Sequence, residues 1–121
     1  MNRRALMSVA LLLMATPAFG HDVKGPHGGR IADVGGLHAE LVAKGNVVDV
    51  YLTDSADKPV SAAGYKAVAV IAARGKSLRI ELEPAGDNRL TGKAADPITG
   101  IPRGAVRLTG PDGKTSQAKF E

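Results

Sequence analysis

The residues best suited to chemistry are three histidines, His21, His27 and His38, all in the first third of a 121-residue chain. Neutral imidazole is the commonest protein ligand for divalent transition metals, and a site built on one segment produces clustering of this kind. His27 sits in Gly25-Pro26-His27-Gly28-Gly29, where Pro26 restricts the backbone before it and the two glycines after it let the chain turn sharply or approach another group closely. His38 and Glu40 lie two residues apart in an alternating segment; on a strand both side chains leave one face about 7 Å apart. That spacing suits two ligands on one ion, or a ligand and the carboxylate that orients it. Each residue also has a plainer reading. His27 would mark an entry turn into the first strand, and His38 and Glu40 an ordinary solvated face with a cross-strand Glu40–Tyr51 contact.

The sulfur inventory narrows the metal. The chain has no cysteine, and its three methionines, Met1, Met7 and Met14, all lie at the extreme N-terminus. That region has the parts of a secretory signal: Arg3 and Arg4, the apolar run from Ala5 to Ala15, and small residues in Ala18-Phe19-Gly20. The run is too short for a spanning helix, which needs about 20 residues. Residues 1–20 are therefore expected to be a signal peptide, with cleavage after Ala18 as the competing position. Cleavage after Gly20 makes His21 the new N-terminus, offering its amine and ring nitrogens to one metal as a chelate. The processed chain then has neither thiolate nor thioether, so imidazole, carboxylate and amine remain, a donor set suited to Cu(II), Zn(II) or Ni(II).

Removing 20 of 121 residues leaves 101, enough for one modest core, and losing Arg3 and Arg4 takes the formal net charge from +4 to +2. A periplasmic or secreted protein is expected, with no membrane insertion after cleavage. Nucleic-acid binding is disfavoured by export and by the scarcity of stacking residues, which after the signal are Tyr51, Tyr65 and Phe120. No nucleophile–base order or phosphate-cradling glycine loop stands out, so the chain reads as a binding protein and not an enzyme.

The elements that must position these residues are short strands. After a Gly/His/Pro-rich segment at 21–29, expected to be flexible, period-two patterning recurs between turn signals through residues 30–121. The strands expected are 30–34, 37–43, 47–53, 66–73, 77–84, 89–94, 105–109 and 115–120. Seven or eight such strands predict an all-β domain, a small antiparallel β-sandwich of immunoglobulin-like type. Gly45-Asn46 as a two-residue turn pairs Ala43 with Val48, Leu41 with Val50 and Ala39 with Leu52. The opposite face then carries His38, Glu40 and Val42 against Thr53, Tyr51 and Asp49. A one-residue slip would drive the charged set into the core, so the register is well specified.

Pro26-His27-Gly28-Gly29, Leu37-His38-Ala39-Glu40-Leu41-Val42 and Val50-Tyr51-Leu52-Thr53-Asp54 with Lys58-Pro59-Val60 together resemble a group of small secreted bacterial heavy-metal-associated proteins. The pattern is also similar to an N-terminal extension on some periplasmic adaptor subunits of heavy-metal RND efflux systems. The likeness covers residues 26–60 and implies a β-sandwich serving metal efflux or resistance, with His27, His38 and Glu40 at the motif positions. The chain lacks the adaptors' helical hairpin and barrel domains, which favours a free carrier or accessory protein over an adaptor.

The expectation is thus a β-sandwich holding one Cu(II) or Zn(II) ion through His21, His27, His38 and Glu40, with an efflux adaptor or other envelope protein as partner. The alternative is a metal-free interaction module of the cell envelope.

Overall fold

Alternation of apolar and polar residues dictates a two-faced strand, and nearly every strand here has one buried and one open face. The computed structural model describes residues 23–121, which form nine antiparallel strands and no helix. Residues 1–20, expected as a signal peptide, and the expected ligand His21 lie outside the described residues. The strands are β1 (Val23–Lys24), β2 (Arg30–Val34), β3 (Leu37–Lys44), β4 (Val47–Thr53), β5 (Lys66–Ala73), β6 (Lys76–Pro84), β7 (Arg89–Lys93), β8 (Arg103–Thr109) and β9 (Thr115–Phe120).

Their order is β1-β2-β3-β4-β7-β6-β5-β8-β9. Strands β4–β7 and β5–β8 each have the Greek-key arrangement, three hairpin-linked strands with a fourth returning by a longer connection. The all-β antiparallel class is as the sequence predicts. The layers are not separate sheets, however. Strand β6 pairs with β5 from Lys76 to Leu82's partner Ala67 and then with β7 through Glu83 and Pro84, so one sheet rolls over on itself. Strand β2 packs against β9 and nearly closes the roll.

Between the layers lies a core of inward-facing residues. Leu41, Val50, Leu52 and Leu90 come from one side, and Ile71, Ile80, Leu82, Val106 and Phe120 from the other. The long connections add plugs of their own, Ala62 and Ile98. Each is tied to a turn it crosses: Ala62 N–H donates to the Asp87 carbonyl, and Ile98 N–H to that of Gly45.

The β3–β4 hairpin has the register read from the sequence, with Ala39 opposite Leu52, Leu41 opposite Val50 and Ala43 opposite Val48. In its turn only Gly45 has positive φ, at 60°, the geometry of a type II′ turn with glycine first. Two features differ from expectation. Residues 21–29, expected as a flexible segment, include strand β1, which pairs with β2, and a hydrogen-bonded turn at Gly25–Gly29. The pair β1–β2 went unread because two residues are too few for a period-two signal.

Leu52 is fully buried while Val70 on the outer face of β5 is 40% exposed. Leu52→Ala should therefore cost about 2–5 kcal/mol, and Val70→Ala less than about 1 kcal/mol. Urea unfolding of the two variants checks this contrast.

Candidate functional site

The outer face of β2, β3 and β4 carries the predicted site. On β3 the buried–open alternation fails: Ala39, Glu40, Leu41 and Val42 are all buried. Leu41 and Ala39 face the core, so something must cover Glu40 and Val42 from outside. The cover is the turn joining β1 to β2. Gly28 N–H donates to the Gly25 carbonyl at 3.0 Å, and Gly25 N–H to the Gly29 carbonyl at 2.8 Å. Pro26 stands at the second turn position, for which its fixed φ is suited.

The turn folds down onto Glu40, the one charged residue buried among those described, at 4% exposed. Its Oε2 accepts the backbone N–H of His27 at 2.8 Å and of Gly29 at 2.9 Å. Its Oε1 lies 2.7 Å from His27 Nδ1. A buried carboxylate needs such donors, because leaving it unpaired costs several kcal/mol. The approach is close enough to require glycine twice. A Cβ at Gly25 would overlap the Glu40 carboxylate, and one at Gly29 would overlap the backbone carbonyl of Leu41.

These contacts also fix the His27 ring. An ionised carboxylate has only lone pairs to offer, so the hydrogen-bond network assigns the ring proton to Nδ1. Nε2 is left as an acceptor with no hydrogen bond to another described residue. One ring face stacks on Tyr51, with centroids 3.6 Å apart and planes within 6°, a contact worth about 0.5–1.5 kcal/mol. The His27 side chain stays 43% exposed and lines a cleft of about 340 Å³ with Pro26, Ile31, Tyr51, Thr53 and Asp57.

His38 belongs to a neighbouring cluster. Its Nε2 is 3.3 Å from Asp33 and its Nδ1 3.5 Å from Asp57. Asp33 arrives by the β2–β3 register, which sets it opposite His38. Asp57 arrives on a loop shaped by Asp54, whose Oδ1 accepts the N–H groups of Ala56 and Lys58. The two carboxylates address different ring nitrogens, so they clasp the imidazole from two sides and do not converge with it on one point.

Sequence reasoning placed His27, His38 and Glu40 together, and the structure sets them on one face. Glu40 and His27 are in direct contact, whereas His38 has its own partners. Among the described residues no three His, Asp or Glu side chains gather as a group able to hold a metal ion. Glu40 is enclosed by the turn, with His27 and Gly29 on its two oxygens, and so holds the His27 ring instead of presenting an open oxygen. Asp49, on the same face, is taken up by Thr91 and Arg89. Sequence reasoning missed the stacking role of Tyr51 and the aspartates around His38. The cross-strand pairing of Glu40 with Tyr51 was the one available signal for the first.

Fold and site together define a small Greek-key β-protein whose entry turn is clamped on a buried carboxylate and displays one oriented histidine. Comparisons of the chain with known protein families, curated proteins and solved structures give no match.

Glu40→Ala strands two backbone N–H groups and should destabilise the domain by about 2–4 kcal/mol. Gly25→Ala should release the turn, because the carboxylate moves aside only by giving up its three hydrogen bonds. Amide exchange checks both: protection at His27 and Gly29 should fall, while that at Leu52, whose N–H donates to the Asn88 carbonyl, persists in Gly25→Ala.

Proposed function

We propose that this is an exported metal-handling protein that takes up one divalent ion, Cu(II) or Zn(II), through Nε2 of His27 and passes it on. The observation that carries this reading is the Glu40–His27 hydrogen bond. A carboxylate on one imidazole nitrogen with the other nitrogen left open is the usual environment of a metal-ligating histidine. The bond fixes the tautomer and makes Nε2 a stronger donor.

The remaining ligands would come from His21, which lies outside the described residues, and from water or a receiving protein. His38 is the further candidate, once released from Asp33 or Asp57. A site with one oriented protein ligand and an open side favours exchange over storage, which suits a carrier. The motif likeness at residues 26–60 supports the same reading and points to heavy-metal efflux or resistance as the setting, in the periplasm or outside the cell. One observation favours a second reading, a metal-free interaction module of the envelope: the described residues assemble no group of three ligands.

Calorimetric titration of the processed protein with Cu(II) and Zn(II) tests the proposal, after intact mass has fixed its N-terminus. His27→Ala should weaken binding at least tenfold. Glu40→Gln is the sharper variant. Its amide oxygen can accept the two backbone N–H groups while its NH₂ donates to Nδ1, which forces the ring proton onto Nε2. Affinity should fall about 10- to 100-fold, the usual effect of removing such an orienting carboxylate, with thermal unfolding nearly unchanged. Equal affinity in wild type and His27→Ala would overturn the metal reading.

A further inference from the structure

A second cleft lies on the other side of the His27 turn, where the rolled sheet fails to close. Pairing of β2 with β3 stops at Arg30 opposite Leu41, so Val42–Lys44 continue past it without a β2 partner. In the β3–β4 hairpin Lys44 faces Val47 across a two-residue turn. Alternation of the ladder from that closing pair turns the hydrogen-bonding groups of Val42 and Lys44 toward β4, and those of Leu41 and Ala43 toward the β2 side. Leu41 meets Arg30 there, whereas Ala43 borders a cleft of about 540 Å³. The far wall is the end of the β7–β8 connection, Gly100 to Arg103, held across the gap by Arg30, whose Nη1 donates to the Pro102 carbonyl at 3.5 Å.

The chemistry of the walls is one-sided. Lys24, Arg30, Lys44 and Arg103 line the cleft, with Glu121 the single acidic side chain lining it among the described residues. Ile101 stands at the rim 66% exposed, and only Val70 accompanies it as an exposed large apolar side chain among the described residues. A strand edge, an apolar anchor point and a rim carrying Lys24, Lys44 and Arg103 are the parts used when an extended segment adds to a sheet. Charge complementarity selects its composition.

We propose that this groove docks an extended acidic peptide segment of a partner protein, paired to the β3 edge at Ala43, with its carboxylates against Lys24, Lys44 and Arg103. The docking does not depend on metal, and it brings the partner's chain alongside the turn that carries His27.

The test uses the processed protein in the presence of a strong chelator, with a fluorescein-labelled eight-residue peptide of alternating glutamate and valine as probe and a lysine–valine peptide as control. Fluorescence anisotropy should detect the acidic probe alone, with affinity falling at least tenfold in Lys44→Glu combined with Arg103→Glu. Both side chains are exposed, and the variant's amide spectrum verifies its fold. Amide shifts caused by the probe should concentrate at Ala43, Lys44, Ile101 and Arg103. Shifts centred instead on Val68, Val70 and Ala105 would overturn the groove, as would equal binding of the control peptide. Binding to phosphatidylglycerol vesicles without binding to the probe would replace the peptide by an anionic membrane and likewise overturn it. Loss of metal binding in His27→Ala with probe binding intact keeps the two proposals separate.

Discussion

A carboxylate taken out of water must find hydrogen-bond donors, and the organisation of the N-terminal half follows from how Glu40 finds them. Its partners are two backbone N–H groups and one imidazole nitrogen, all from a single turn 11–13 residues upstream. None of these donors would be in place without the β1–β2 hairpin. Among the described residues that hairpin has a short ladder, Val23 against Ile31 and Lys24 against Arg30. Charge-assisted hydrogen bonds contribute about 1.5–3 kcal/mol each, offset by the desolvation of the carboxylate. The net gain is modest, but the geometric consequence is large: the turn has one seat, and His27 has one orientation in it.

The rolled Greek-key sheet supplies the rigid base. Glu40 lies mid-strand in β3, which is flanked by β2 and β4 and backed by the core through Leu41. Tyr51, directly opposite on β4, gives the imidazole a flat surface to rest on. A ring held by a hydrogen bond at its edge and a stack on its face has little freedom left, although nearly half its surface meets solvent. Rigidity without enclosure is what distinguishes this histidine from His38, which has an exposed aspartate near each nitrogen and no stacking partner among the described residues.

How much of this was legible in the sequence depended on whether the deciding contact was local. The β3–β4 register could be read residue by residue, because a one-residue slip would have buried His38, Glu40 and Asp49 against the core. Most strand limits fell within two residues for the same reason. The covering of Glu40 could not be read. Alternation placed it correctly on the outer face, and an outer face is ordinarily wet. Only the turn at 25–29 makes it dry, and that contact depends on two glycines thin enough to approach β3, a steric fact with no periodic signature. Gly28 and Gly29 were read as permitting a sharp turn or close approach to another group, but nothing local named the group or singled out Gly25. The continuous path of β6 through both layers was hidden likewise, since it depends on pairings with β5 and β7 and not on the pattern of β6 itself.

The claim on which the account rests is that Glu40 holds the His27 ring with its proton on Nδ1 and Nε2 open to solvent. Long-range ¹H–¹⁵N correlation spectra of the uniformly ¹⁵N-labelled, metal-free protein report the tautomer of each histidine directly. The result expected is a pyrrole-like Nδ1 and a pyridine-like Nε2 for His27, with one dominant form. An Nε2-protonated ring, or two averaged nitrogens showing a ring free to exchange, would contradict it.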